Sequence, residues 1–136
     1  MSDGRSSPHD RVRVLFDGDC PLCRREIAHY RRRRGAGAID WIDLAPLAPD
    51  APIDGIDWHT AMARLHVRDI RGQWHTGARA FVELWSHLRG YRHIARLVRA
   101  LHLLPLLDRL YERFARRRYA TRCADLGCDP PPEASA

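Results

Sequence analysis

The sequence contains no lysine and no asparagine, and arginine supplies all 23 of its basic side chains. A GC-rich genome explains such a bias more simply than chemistry does, so the composition predicts a bacterial source. The formal net charge of +6 is therefore weak evidence for binding to nucleic acid or to an acidic membrane, because arginines can be present for solubility alone.

Long apolar runs are also missing. Nowhere do about 18 apolar residues follow one another, as a membrane-spanning helix requires, and the opening MSDGRSSPHDR lacks the apolar core of a signal peptide. We therefore expect a cytoplasmic protein with no membrane span. A reducing compartment disfavours a structural disulfide framework, so the close pair Cys20 and Cys23 is expected to be catalytic, redox-sensing or metal-binding.

The 136 residues, of which 45% are hydrophobic and 29% charged, predict one globular domain with a real core. We expect a flexible leader at residues 1–10, the folded domain at 11–120, and a mostly disordered tail at 121–136 that ends in DPPPEASA.

The order of secondary structure follows from periodicity. Alternating apolar and polar residues predict strands at 11–16 and 38–44. Between them, apolar residues at helical spacing predict a helix that begins at Pro21. A short helix, a β-hairpin over 65–77 and three further helical stripes follow. This order predicts an α/β fold whose first βαβ unit is parallel and right-handed.

The stretch FDGDCPLC places both cysteines at the predicted start of the first helix. A thiol reacts as its thiolate, and the free N–H groups and dipole of a helix N-terminus stabilise that anion. Cys20, at or just before the first turn, gains most from this effect and is expected to be exposed, whereas Cys23 lies one turn further on. We therefore predict that Cys20 is the nucleophile and that Cys23 resolves the mixed disulfide.

Two carboxylates flank the pair, and the sequence allows two roles for them. Asp17 and Asp19 oppose formation of a nearby thiolate. If Asp17 is partly buried with a raised pKa, it accepts the proton of Cys23 during resolution. In the alternative interpretation, Asp17 or Asp19 caps the helix or shapes the turn.

The segment DGDCPLC resembles the signature of the DCC family of thiol-disulfide oxidoreductases, named for an Asp, Cys, Cys pattern that falls here on Asp17, Cys20 and Cys23. MARLHVRDIRGQWHTGARAFVELW resembles the second block of the family and LLPLLDRLYERFARRRY its closing block, so the resemblance covers roughly residues 12–119. It implies a thioredoxin-like fold, a small central sheet with flanking helices, here with an extra C-terminal helical extension. It also implies exchange with protein or small-molecule thiols and disulfides, without a cofactor.

One departure from thioredoxins concerns the substrate side of the site. Thioredoxins place a cis-proline beside the CxxC, whereas the corresponding run Ala63, Arg64, Leu65 has no proline. A substrate contact at Arg64, Leu65 and His66 is therefore expected to use trans peptide geometry. His66 should lie beside the CxxC, where an imidazolium would lower a thiol pKa.

A structural zinc site is the first alternative, because the CxxC pair together with Cys123 and Cys128 gives four thiols. The C-x4-C spacing of the second pair and its place in the predicted tail argue against it. His66 and His75, predicted to face each other across the hairpin, form another possible metal pair, although such a pairing is unsurprising among eight histidines.

A basic surface that binds nucleic acid or an acidic membrane is the second alternative. It rests on the arginine runs at 31–34 and 116–118 and on the amphipathic stretch 93–118. Each run falls at the predicted end of a helix, where cations complement the helix dipole. Since no nucleic-acid-binding module is recognisable, we expect no nucleic-acid partner.

Overall fold

The computed structural model describes residues 11–47 and 52–126. The predicted leader at 1–10 and residues 127–136 of the predicted tail lie outside this part of the chain. The described residues form four strands, β1 Val12–Phe16, β2 Ile39–Asp43, β3 His66–Arg68 and β4 Trp74–Thr76. They also form five α-helices, α1 Pro21–Arg31, α2 Trp58–Ala63, α3 Ala78–Ser86, α4 Tyr91–Ala100 and α5 Leu104–Leu126.

The four strands form one mixed sheet in the order β2-β1-β3-β4. β1 pairs with β2 in parallel, with Val12 opposite Ile39, and β1 and β4 both pair with β3 antiparallel. α1 provides the crossover between the parallel strands. The predicted α/β, thioredoxin-like fold, a small central sheet with flanking helices, is confirmed.

The core lies on both faces of β1, because successive side chains of a strand point to opposite faces. Val14 packs into a cluster with residues of α1 and α3, including Ile27 and Leu84. Leu15 packs on the other face with Met62 of α2 and Tyr119 of α5. Since β1 is covered on both sides, the turn that follows it starts from a fixed position.

The last helix is longer than the sequence predicts. α5 starts at Leu104, accommodates Pro105 in its first turn, where a proline costs no hydrogen bond, and continues to Leu126, beyond the expected domain end at residue 120. It packs against α2 and α3, so the predicted C-terminal extension belongs to the folded body. No helix within the described residues is long and apolar enough to cross a membrane.

Candidate active site at the start of the first helix

The turn between β1 and α1 is tied to the end of β2. The N–H of Gly18 donates to Oδ1 of Asp43 at 2.9 Å, and the same oxygen accepts from the N–H of Ala45. A Cβ on residue 18 would overlap the Asp43 carboxylate, so a larger residue there would displace this carboxylate from the two N–H groups it binds. The approach of the Asp43 carboxylate thus fixes the direction in which the chain enters the cysteine motif.

The two cysteines sit where the sequence predicts, at the N-terminus of α1. Cys20 is the N-cap residue, and Pro21 occupies the first turn. Both cysteines are free thiols, and Sγ of Cys20 accepts a hydrogen bond from the N–H of Cys23 at 3.5 Å. A helix N–H directed at a sulfur stabilises negative charge on it.

The exposure of the cysteines differs from the prediction. Cys20 is buried, with 5% of its surface exposed, and Cys23 is only partly buried. The expectation of an exposed Cys20 is therefore wrong. The side chain of Cys20 turns back toward the first turn of α1, where its sulfur accepts the Cys23 N–H.

The thiol of Cys23 is held in its protonated form. Burial raises the pKa of Cys23 to about 12, assisted by the hydrogen bond with Cys20 and the nearby charge of Asp17, while the positive charge of Arg118 lowers it. At neutral pH Cys23 is therefore a thiol, and it needs a proton acceptor before it can attack another sulfur.

Asp17 is buried and bound by two arginines from α5. Its Oδ2 accepts a hydrogen bond from Nε of Arg122 at 2.7 Å and lies 3.5 Å from Nη1 of Arg118. Its Oδ1 accepts from the N–H of Asp19 at 3.1 Å, which is the turn-shaping geometry considered above. Asp19 itself keeps 68% of its side chain exposed.

The sequence did not identify Arg118 as a site residue. The run 116–118 was predicted to end a helix, but α5 continues for eight residues after Arg118, so that interpretation is wrong for this run. Arg118 is nearly buried, and its Nη2 donates to the carbonyl of Met62 at 2.7 Å. The available signal was the spacing of Arg118 and Arg122, which places both side chains on one face of a helix.

The segment Arg64 to His66, which the sequence predicts to contact substrate, forms hydrogen bonds with α5. The N–H of Leu65 donates to the hydroxyl of Tyr111 at 2.8 Å, and its carbonyl accepts from the N–H of Gly77 at 3.2 Å. The guanidinium of Arg64 binds both carboxylate oxygens of Glu112, at 2.7 and 2.6 Å. The backbone of Leu65 therefore already has partners within the fold.

His66 is buried in β3, and its Nδ1 lies 2.8 Å from the carbonyl of Arg64. A carbonyl only accepts, so Nδ1 carries the hydrogen. Burial lowers the pKa of His66 below its ordinary value of 6.5. At neutral pH the ring is thus neutral and does not supply the imidazolium that the sequence suggested.

A cavity of about 120 Å³ opens beside Cys23, between α1, α2 and α5. Arg64 and Arg118 contribute to its wall. Most of the lining is apolar and includes Leu22, Ile27, Met62, Leu65, Phe81 and Phe114.

The predicted pairing of His66 with His75 is wrong. His66 lies opposite Thr76 and His75 opposite Val67, so the two imidazoles project from opposite faces of the hairpin. Nε2 of His75 instead lies 2.9 Å from Oδ2 of Asp69.

Possible metal ligands come together at one place within the described residues. Asp69, His75 and Glu83 bring a donor atom each within 4.8 Å of one another. Glu83 is also bound by His87 at 3.0 Å. Neither cysteine of the CxxC belongs to this group. Of the other thiols considered for zinc, Cys128 lies outside the described residues, as does the side chain of Cys123.

Comparison with known proteins identifies a family. A family model described as DCC1-like thiol-disulfide oxidoreductase matches residues 14–124. An uncharacterized chloroplastic protein of Arabidopsis thaliana is 29% identical over 111 residues, which cover 79% of this chain and 51% of that protein. The chain thus spans about half the length of this curated relative. No solved structure matches the chain significantly.

Proposed function

The chain belongs to the DCC1-like thiol-disulfide oxidoreductase family, and we propose that it exchanges disulfides through Cys20 as nucleophile and Cys23 as resolving thiol. The observation that carries this assignment of roles is the hydrogen bond from the Cys23 N–H to Sγ of Cys20 at the helix start. This bond directs a helix N–H at the sulfur of Cys20, whereas burial raises the pKa of Cys23.

The exchange runs in two displacements. The thiolate of Cys20 attacks one sulfur of a substrate disulfide, forms a mixed disulfide, and releases the other substrate sulfur, which takes up a proton. Cys23 then loses its proton and attacks Sγ of Cys20, which releases the second substrate thiol. Two electrons pass from the cysteine pair to the substrate, and the pair ends as a disulfide. The reverse sequence oxidises two substrate thiols.

Cys20 must become accessible for this chemistry. Since only 5% of its surface is exposed, we propose that a substrate approaches from the side of Cys23, where the cavity opens. The two cysteines are adjacent there, because the Cys23 backbone N–H contacts the Cys20 sulfur.

We propose two roles for Asp17 in the resolving step. It holds Arg118, whose positive charge lowers the pKa of Cys23, through the ion pair at 3.5 Å. It also accepts the proton of Cys23, as the sequence suggested, and for this it has to loosen at least one of its contacts with Arg118 and Arg122.

The apolar cavity suggests the substrate class within the expected protein and small-molecule thiols. A cavity of about 150 Å³ in an engineered protein core holds benzene, so one of about 120 Å³ fits a compact apolar group attached to the reacting sulfur. Of the three predicted contact residues, Arg64 and Leu65 line the cavity and His66 does not. We propose that substrates contact the side chains of Arg64 and Leu65, because the Leu65 N–H already donates to the hydroxyl of Tyr111 and is not available to a substrate.

The proposed setting is the reducing cytoplasm of a bacterium, which rests on the composition. No cofactor is needed, since the electrons come from the thiols themselves.

The test is an alkylation trap read by mass spectrometry, on protein equilibrated in glutathione buffers of graded ratio. We expect Cys20 and Cys23 to interconvert as a pair between dithiol and disulfide. The variant Cys123→Ser/Cys128→Ser is the matched control, because it removes the other two thiols and should leave the transition unchanged.

Two further variants separate the roles of the cysteines. Cys23→Ser should accumulate a mixed disulfide on Cys20, whereas Cys20→Ser should not trap substrate on Cys23. A pair that never interconverts would refute disulfide exchange. Trapping on Cys23 alone would reverse the two roles. About one zinc per chain, released on thiol alkylation, would instead support the metal-site alternative.

A further inference from the structure

Positive charge is concentrated where two segments of the chain meet. Residues 27–39 contain the four arginines at 31–34 and no acidic residue, and residues 84–107 contain four more arginines and again no acidic residue. The segments are joined by a hydrogen bond from the N–H of Arg89 to the carbonyl of Arg34 at 3.0 Å. The charge of +6 is therefore not spread evenly over the protein.

A groove of about 410 Å³ lies at this junction, lined by Arg32, Arg33, Arg34, Arg89 and Gly90. Within the described part of the chain, no acidic side chain pairs with the guanidinium of Arg32, Arg34 or Arg89. Guanidinium groups bind phosphate oxygens through paired N–H groups. The groove therefore has the charge and the donors to hold a phosphate group.

An exposed apolar stripe begins directly beside the groove. Gly90 precedes α4, Ile94 and Leu97 lie along one side of that helix, and Leu101 caps its C-terminus, with Leu97 and Leu101 56% and 58% exposed. At a rise of about 1.5 Å per residue the stripe is about 10 Å long. The adjacent side of α4 already supplies the buried Val98 to the core, so the stripe is apolar surface that the fold does not use.

We infer that the groove and the stripe of α4 together bind the surface of an anionic phospholipid bilayer. A helix with an apolar stripe and many arginines lies in the plane of the interface, with its apolar side chains among the acyl chains and its cations near the lipid phosphates. The groove residues would hold a headgroup phosphate beside the inserted stripe.

Two other partners, a nucleic acid and a second copy of the chain, would each match only part of this surface. A nucleic acid would use the arginines but leave Leu97 and Leu101 in water, since its phosphates require no apolar stripe. A second copy of the chain would cover the leucines but bring one set of unpaired arginines against another. An anionic bilayer satisfies both the charge and the apolar surface.

The proposed membrane face leaves the cysteines free. α1 has 11 residues and is thus about 16 Å long, with Cys20 at its N-terminus and the arginine run at its C-terminal end. Membrane binding is therefore a property separate from disulfide exchange, and the two proposals can fail independently.

The experiment measures sedimentation of the full chain with vesicles of phosphatidylglycerol and phosphatidylcholine and with vesicles of phosphatidylcholine alone. We expect binding to the anionic vesicles only, weakened by salt. Arg34→Gln/Arg89→Gln and Leu97→Ser/Leu101→Ser should each reduce the apparent affinity at least about tenfold.

The control is Ile70→Ser/Arg71→Gln, which removes one apolar side chain and one positive charge at exposed positions in the turn between β3 and β4. It should bind anionic vesicles as the unaltered chain does. Circular dichroism verifies that each variant keeps its helices.

Three results would overturn the inference. The first is no binding to anionic vesicles by the unaltered chain. The second is vesicle binding that survives the leucine variant while a mobility shift shows equal affinity for double-stranded DNA, which would indicate a nucleic-acid surface. The third is light scattering that reveals a dimer which the leucine variant dissociates, without vesicle binding, which would indicate self-association.

Discussion

At the scale of single residues, the two thiols differ in the groups that each sulfur contacts. Cys20 accepts a helix N–H, and Cys23 lies among mostly apolar side chains with the charges of Arg118 and Asp17 nearby. Position in the motif predicted this difference in hydrogen bonding, because only the N-cap side chain reaches the free amides. It did not predict the burial of Cys20, because burial depends on the tertiary packing around the turn and not on position in the motif.

The role of Asp17 is tested by Asp17→Asn, because its two possible effects have opposite signs. The negative charge of Asp17 raises the pKa of Cys23. If charge is its only effect, the neutral amide lowers that pKa and speeds closure of the Cys20–Cys23 disulfide at a given pH. If Asp17 accepts the proton, closure slows by about tenfold or more. Closure also slows if the amide no longer holds Arg118, whose positive charge lowers the pKa of Cys23, and slower closure is our expectation.

The measurement is the rate at which a preformed mixed disulfide on Cys20 releases its thiol, followed from pH 6 to about pH 9, a range that spans ordinary thiol pKa values. Asp19→Asn is the matched control, since it removes an equal charge from the same turn at an exposed position. Faster closure in Asp17→Asn, with Asp19→Asn unchanged, would exclude proton transfer to Asp17.

At the scale of secondary-structure elements, α5 forms one wall of the cavity beside Cys23. It supplies Tyr111 to the Leu65 amide, Glu112 to Arg64, and Arg118 to both Asp17 and the carbonyl of Met62. The element that the resemblance implies as an extension is therefore the one that closes the cavity beside Cys23.

Tyr111→Phe tests how firmly α5 holds the segment before β3. The hydroxyl of Tyr111 accepts from the buried Leu65 N–H, so its removal leaves an unpaired amide and should lower the free energy of unfolding by about 1 to 2 kcal/mol. Tyr91→Phe is the control, because its hydroxyl contacts the exposed His29 and its loss should cost less than about 0.5 kcal/mol. Urea unfolding measures both, and equal losses would contradict a structural role for the Tyr111 hydrogen bond.

Much of this architecture could be predicted from local patterns. Alternation indicated β1 and the hairpin, and Pro21 after Cys20 marked the start of α1. The contacts of α5 with the site could not be predicted, since Arg122 and Asp17 are 105 residues apart in sequence and periodicity carries no information on which distant side chains pair. Periodicity also indicated the helix α4 without revealing that Leu97 and Leu101 remain exposed.

At the scale of the whole molecule, the arginines serve different purposes that composition could not separate. Arg118 and Arg122 are turned inward onto Asp17, and Arg13 pairs with Asp54 at 2.6 Å. Within the described residues, the arginines that line the groove at Gly90 have no carboxylate partner. Arg99 of α4 does not line the groove and pairs with Glu83 at 3.4 Å. Solubility alone would not require this segregation.

The stability of the molecule should fall as the pH drops below about 6.5, because of His66. Burial lowers the pKa of His66 in the folded protein, so the unfolded chain takes up this proton first as the pH falls. The contribution of His66 to the free energy of unfolding is therefore complete above the ordinary pKa of about 6.5. It is lost as the pH falls from there through the lower pKa that His66 has in the folded protein. Asp69, Glu83 and Glu112 also have lowered pKa values, but their contributions are lost at lower pH, below ordinary carboxyl values of 3.8 and 4.5.

His66→Gln isolates this effect, because the amide can still donate to the Arg64 carbonyl but does not titrate. Urea unfolding at pH 8 and pH 5 should show a smaller loss of stability in this variant than in the unaltered chain, by up to about 1.4 kcal/mol for each unit of pKa shift. His93→Gln, at an exposed position of α4, serves as the matched control. If His66→Gln loses as much stability between the two pH values as the unaltered chain, buried His66 does not carry the pH dependence, and the inference that its imidazole is neutral in the folded protein is wrong.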